Sequence, residues 1–191
     1  AVGSDCMTYS VGFRAPSRSD ILGHFVDDIL DGIPDDDLYR DPDLARQANP
    51  GEILPDALGR LQQMMLESLS DPASFARWFG TFNSTPKYAD MDWQPETPVE
   101  PEDVRASIND AVPLLRNPAS RMVFIANGDD ALMLFADGVC FDCVGETSAV
   151  AIILCAQDSL VLDAALASAP AVVDLLTQLC NMGCIAFESE E

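Results

Sequence analysis

The chain has 191 residues, 48% of them hydrophobic, and carries 32 acidic against 10 basic side chains for a net charge of −22. That apolar content is too high for a disordered tail, and the length suits one large domain or two small ones. Met122–Glu191 holds 11 acids and no Lys or Arg, so direct binding of nucleic acid or an anionic membrane runs against its charge. A basic protein would be steered toward such a surface, although acidity also serves simple solubility.

Met7–Phe13 alternates like a strand and runs into a turn at Pro16–Ser19. A strand this near a terminus needs partners, and the next strand-like segment lies far downstream. The segment therefore reads as the last strand of a larger β domain, and the chain as a carboxyl-terminal fragment. Ser17 or Ser19 caps the helix that follows, whose apolar face is Ile21, Leu22, Phe25, Val26, Ile29 and Leu30. Gly32 and Pro34 end it, and Asp35–Asp43 forms an acidic connection.

A second helix is expected from Pro55, with Leu58, Leu61, Met64, Met65 and Leu69 on its face. Ser70-Asp71-Pro72 starts a third, which carries Phe75, Trp78, Phe79 and Phe82. Three such helices predict a small bundle over residues 17–84 whose apolar stripe a homodimer contact would cover. The packing residues are Ile21, Phe25, Ile29, Leu61, Met65, Phe75, Trp78 and Phe79. Residues 85–101, rich in Pro and acid, read as a linker, with Trp93 docking on a neighbour.

The last domain, 102–191, opens with a helix from Glu102 to about Val112. Apolar runs at 121–126, 131–136 and 139–143, split by Asn127-Gly128 and Asp137-Gly138, predict two hairpins. Helices are expected at Ala149–Gln157 and Pro170–Asn181, with Ser159–Ala167 a further candidate, and Cys184–Phe187 as a closing strand. A small sheet packed with helices resembles a winged-helix domain. The fold class is α+β.

Little in the residues points to catalysis. His24, the one histidine, sits on a helix near Asp20, Asp27 and Asp28, with no second histidine and no cysteine at helical spacing. Cys140 and Cys143, with Cys180 and Cys184, have the composition of a zinc site. In a strand, however, residues three apart face opposite sides, so buried structural thiols of a cytosolic protein are the favoured reading. The Asp27–Asp37 acids lack the spacing of a calcium loop.

Tyr9–Pro16, Asp41-Pro42-Asp43, Met64–Glu67 and Trp78-Phe79-Gly80 together resemble the carboxyl-terminal half of the bacterial ribosomal oxygenases. These are JmjC-type, cupin-fold protein hydroxylases that use Fe(II) and 2-oxoglutarate. The likeness covers nearly the whole chain. After Pro101 it rests on element order and Gly128-Asp129-Asp130. It implies a terminal barrel strand in residues 1–16, a dimerisation region at 17–84 and a winged-helix-like domain at 102–191. It implies a cytoplasmic enzyme that hydroxylates an arginine of a basic large-subunit ribosomal protein. Thr8 and Ser10 share one strand face and would look into the co-substrate pocket. The family's iron ligands, two histidines and a carboxylate, have no counterpart here, and His24 matches none of them. The chain alone is therefore expected to bind neither iron nor 2-oxoglutarate and to be inactive. The alternative is a stand-alone, non-catalytic acidic interaction module.

Overall fold

Short-range capping sets the first helix of the computed structural model, which describes residues 15–40, 42, 48–87 and 92–188. The expected strand Met7–Phe13, with Thr8 and Ser10, lies outside those residues. α1 spans Arg18–Gly32. Ser17 caps it: its hydroxyl accepts from the Asp20 N–H while the Asp20 carboxylate accepts from the Ser17 N–H, both at 3.1 Å. Ile33 and Pro34 then take the chain out of the helix. α2 spans Pro55–Leu69, with Pro55 in the first turn and Asp56 near the positive helix end. Both belong to a first compact unit that ends at Asp71.

The second unit runs from Pro72 to the end. α3, Pro72–Ser84, begins it. Phe75, Trp78, Phe79 and Phe82 recur at helical spacing, and their ring centroids lie 5.3–6.1 Å apart. The sequence groups this helix with the first two. In the structure it packs on an antiparallel meander of β2 (Met122–Ala126), β3 (Ala131–Ala136) and β4 (Val139–Val144). Apolar spacing identifies a buried face but not the surface that covers it. Gly80 allows the close approach, because a Cβ there would overlap the Phe135 ring. Arg77 reaches from α3 to β4 and pairs with Asp142 at 2.9 Å.

The hairpins form where their turn residues predict. Asp137 and Gly138 adopt φ +46° and +85°, the left-handed pair that a two-residue turn needs. The register places Phe124 opposite Leu134 and Phe135 opposite Cys140.

α4 is Pro101–Asn109, shorter than the expected 102–112. Ala111 turns left-handed at φ +53° and Pro113 follows, so no further helical turn forms. α5 is Glu146–Ala156 and α6 is Pro170–Asn181. The candidate helix Ser159–Ala167 is instead the short strand β5, Ser159–Leu160, followed by a 3-10 turn at Ala164–Ser168. The backbone at Asp158–Leu160 is taken by β1, Leu114–Arg116, which it pairs antiparallel. Asp163 then caps the 3-10 turn through the Ala165 N–H, 2.9 Å away. β6, Ile185–Phe187, completes a second three-stranded sheet in the order β5-β1-β6.

α4, α5 and α6 close over these strands. Val104, Ile108, Leu114, Leu134, Leu154, Leu176, Leu179 and Ile185 are buried together. The Pro/acid-rich stretch is fastened to this unit at both described ends. Arg121 donates to the Thr85 carbonyl at 3.1 Å, and Asn181 bonds Val99. The Trp93 backbone passes over Gly183 while its side chain stays 52% exposed.

Candidate functional site

Of the residues named for bundle and dimer packing, Phe25 is buried on α1 while Ile21 and Ile29 are half-buried. On α2, Leu61 is 40% and Met65 68% exposed, and the helix buries no residue. On α3, Phe75 is 40% exposed, Phe79 half-buried and Trp78 buried. Trp78 and Phe79 thus belong to the aromatic face of the second unit.

Among the described residues the cysteines do not gather into a group of three or more. Cys143 is buried in β4, and Cys140 is half-buried beside the Arg77 guanidinium at 2.9 Å. Burial raises the Cys140 thiol, with Arg77 pulling the other way. Burial pushes Cys155 up to about 11 and Cys180 to about 12. Burial also lifts Cys184 to about 12, reinforced by the Asp137 carboxylate that accepts its S–H at 3.3 Å. None of these thiols is poised as a nucleophile at neutral pH. Among the described residues no group of three or more His, Cys, Asp or Glu side chains is placed to hold a metal. His24 stands exposed on α1.

Asp137 is a structural hub. Its carboxylate also accepts from the Ser120 hydroxyl and the Arg121 N–H, both at 2.7 Å, tying the β3–β4 turn to the start of β2. The neighbouring Gly138 N–H donates to Ser84 at the end of α3, 3.1 Å away.

Two grooves open on the second unit. One, of about 820 Å³, runs past Lys87, Arg121 and Asp137. The other, of about 670 Å³, is mostly apolar and runs between Trp93, Val99, Cys180 and the whole of β6, with Asp103 and Arg116 on its wall. Arg116 is already engaged: its guanidinium donates to the Cys155 carbonyl at 3.2 Å and to Asp158. Val99 is held by Asn181, whose amide accepts from its N–H at 2.7 Å and donates to its carbonyl at 2.9 Å. Sequence patterns do not reveal this groove, because its walls come from four separated segments. The one sequence hint is Trp93 in a polar stretch. No helix among the described residues is long and apolar enough to cross a membrane.

Comparison with known proteins fits this architecture. Residues 67–186 match the family model described as ROXA-like winged helix. The ribosomal protein uL16 3-hydroxylase of Escherichia coli (strain K12) is 34% identical over 134 residues, which span 70% of this chain and 35% of that protein. The ribosomal oxygenase YcfD from Escherichia coli, solved with cobalt and succinic acid, superposes with a TM-score of 0.76 at 28% identity. That superposition covers 94% of this chain and 48% of the other. The same enzyme with cobalt and 2-oxoglutarate gives the same values. The chain therefore spans about half the length of these solved relatives and about a third of the curated one. The ribosomal-oxygenase resemblance in the sequence is borne out, and the winged-helix match begins upstream of Glu102, on α2.

Proposed function

We propose a function from one premise: the chain belongs to the ROXA-like winged-helix family. We read it as the carboxyl-terminal part of an Fe(II)- and 2-oxoglutarate-dependent hydroxylase of a large-subunit ribosomal protein. The observation that carries this is the 34% identity to the uL16 3-hydroxylase. The complexes of YcfD with cobalt, succinate and 2-oxoglutarate support the choice of co-substrate. The reaction balances: one atom of O2 enters an arginine side chain as hydroxyl. The other enters succinate as 2-oxoglutarate loses CO2.

The donor set of the described residues does not fit an iron site. Chemistry is therefore assigned to a cupin barrel outside them, to which Met7–Phe13 would add a strand with Thr8 and Ser10 facing the co-substrate. This chain would contribute two things. One is a homodimer contact on the helices of the first unit, drawn from Ile21, Ile29, Leu61 and Met65. Within that set Leu61 and Met65 are exposed enough for a second copy to cover. The other is an acidic winged-helix unit, suited to a basic ribosomal protein in the cytoplasm and unsuited to nucleic acid.

A second reading, a non-catalytic acidic interaction module, is favoured by the apolar groove beside β6. The first reading is tested by the solution mass and activity of the chain alone. It expects a dimer of the 20.6 kDa chain and no succinate when Fe(II), 2-oxoglutarate and uL16 are supplied. A monomer, or succinate above background, would contradict it.

A further inference from the structure

The outer edge of β2 is open. The Asp137 N–H donates to the Arg121 carbonyl at 3.1 Å, and the Asn127 N–H to the Ala131 carbonyl at 2.8 Å. In an antiparallel ladder bonded pairs alternate with non-bonded ones, so Val123 and Ile125 also bond inward, to Phe135 and Met133. Met122, Phe124 and Ala126 then turn their N–H and C=O groups away from β3. β2 ends its sheet, and among the described residues no hydrogen bond reaches those outward groups. They are accessible: Phe124 is 41% exposed, Ala126 is exposed and Met122 is half-buried. The opposite edge of the sheet is treated differently. There the Thr147 hydroxyl bonds both backbone groups of Val144, at 2.9 and 2.8 Å. β2 pairs without a bulge and carries no Pro or charged residue of the kind that blunts exposed edges.

The two ends of the strand select the occupant. Arg121 precedes it, and its guanidinium donates to the neutral Thr85 carbonyl and pairs with no carboxylate among the described residues. Asp129 and Asp130 follow it, exposed in the β2–β3 turn, and meet no base among the described residues. A uniformly basic or acidic partner strand would match one end and oppose the other. A second copy, antiparallel about a two-fold axis at Phe124, matches both, because each Arg121 comes to the acidic turn of the other copy. At the axis Phe124 meets its own counterpart as a cross-strand aromatic pair.

We propose that β2 is a self-association edge, on which two copies of this chain pair β2 with β2, antiparallel and centred on Phe124. The contact joins two three-stranded meanders into one continuous sheet. The proposal stands on the second unit alone, and neither the hydroxylase reading nor the contact on α2 enters it.

The test uses the full chain carrying Leu61→Lys and Met65→Lys, so that the outcome does not depend on whether α2 dimerises. Salt of about 0.15 M screens the repulsion between two chains of net charge −22 beyond about 8 Å. Raising the protein concentration about a hundredfold should move the mass from monomer toward dimer. It should also slow amide exchange at Phe124 and Ala126 by about tenfold or more. Val123 and Ile125, already bonded to β3, should change less than about twofold. A mixture of isotope-labelled and unlabelled copies should give an intermolecular NOE between Val123 Hα and Ile125 Hα, a non-bonded pair of the new ladder. Phe124→Pro removes the central outward donor without touching the β3 ladder, whereas Phe124→Leu keeps it. The first should weaken association about tenfold and the second less than about threefold. Exchange at Phe124 and Ala126 that stays fast at both concentrations, or is slow in a chain of monomeric mass, would overturn the proposal. Equal association of the two Phe124 variants would do the same. The exchange measurement decides the matter even if Phe124→Pro does not fold.

Discussion

The side-chain amide of Asn181 closes both backbone hydrogen bonds of Val99, across the gap between the end of α6 and the segment that enters α4. One residue thereby fixes a groove wall that has no strand of its own. Asn181→Ala would leave a part-buried N–H and C=O without partners, at a cost of about 1–3 kcal/mol. Asn181→Asp keeps the acceptor but sets a carboxylate against the Val99 carbonyl, and should cost at least as much. Urea denaturation of the two variants checks this. Unchanged midpoints would mean that the amide contributes nothing to the fold.

Gly80 gives a prediction whose sign is informative. Helix propensity alone favours alanine over glycine by about 1 kcal/mol. At Gly80, however, a new Cβ would overlap the Phe135 ring, which is fully buried. Overpacking of this kind costs about 1–3 kcal/mol, so Gly80→Ala should destabilise. Gly23→Ala and Gly59→Ala meet nothing within 4 Å and should be neutral or stabilising. Thermal melts of the three variants separate the two effects. A stabilised Gly80→Ala would show that α3 does not press on β3 as described.

The thiols predict an alkaline limit. Folding raises Cys155 to about 11 and Cys180 and Cys184 to about 12, above the ordinary 9.0, because burial disfavours the thiolate. The unfolded chain releases these protons more readily than the folded one. The stability they contribute is therefore full below the unfolded value and is lost as pH rises from there through the folded values. Denaturation midpoints should hold steady up to about pH 8 and then decline. At neutral pH an alkylating reagent should reach Cys140 before the buried Cys143, Cys180 and Cys184. Equal labelling of these four would contradict the burial.

The dimer contact is tested on α2. Leu61→Lys combined with Met65→Lys places charge on an exposed apolar face without opening a core. If that face meets a second copy, light scattering should show the mass falling from dimer to monomer with far-ultraviolet dichroism unchanged. A dimer that survives both changes would move the contact elsewhere.

Local chemistry made much of this fold legible. Ser17 and Asp20 announce α1, and Asp137-Gly138 announces the β3–β4 turn, because each acts within a few residues. What stayed hidden depends on distant partners. Leu114–Arg116 is too short to show alternation, and it is a strand only because Ser159–Leu160 and Ile185–Phe187 flank it. The aromatic face of α3 was visible as a pattern, but not its placement on the meander. The groove was invisible for the same reason, since Trp93, Asp103, Arg116 and Phe187 meet only in three dimensions. Cys140 and Cys143 fall on one strand, β4, where the alternating apolar run placed them.

The most direct test of the central claim is mass spectrometry of uL16 after incubation with Fe(II), 2-oxoglutarate and the complete product of the gene that encodes this chain. The account predicts one added oxygen on an arginine and one succinate per hydroxylation. An unmodified uL16, from a folded protein that binds 2-oxoglutarate, would contradict it.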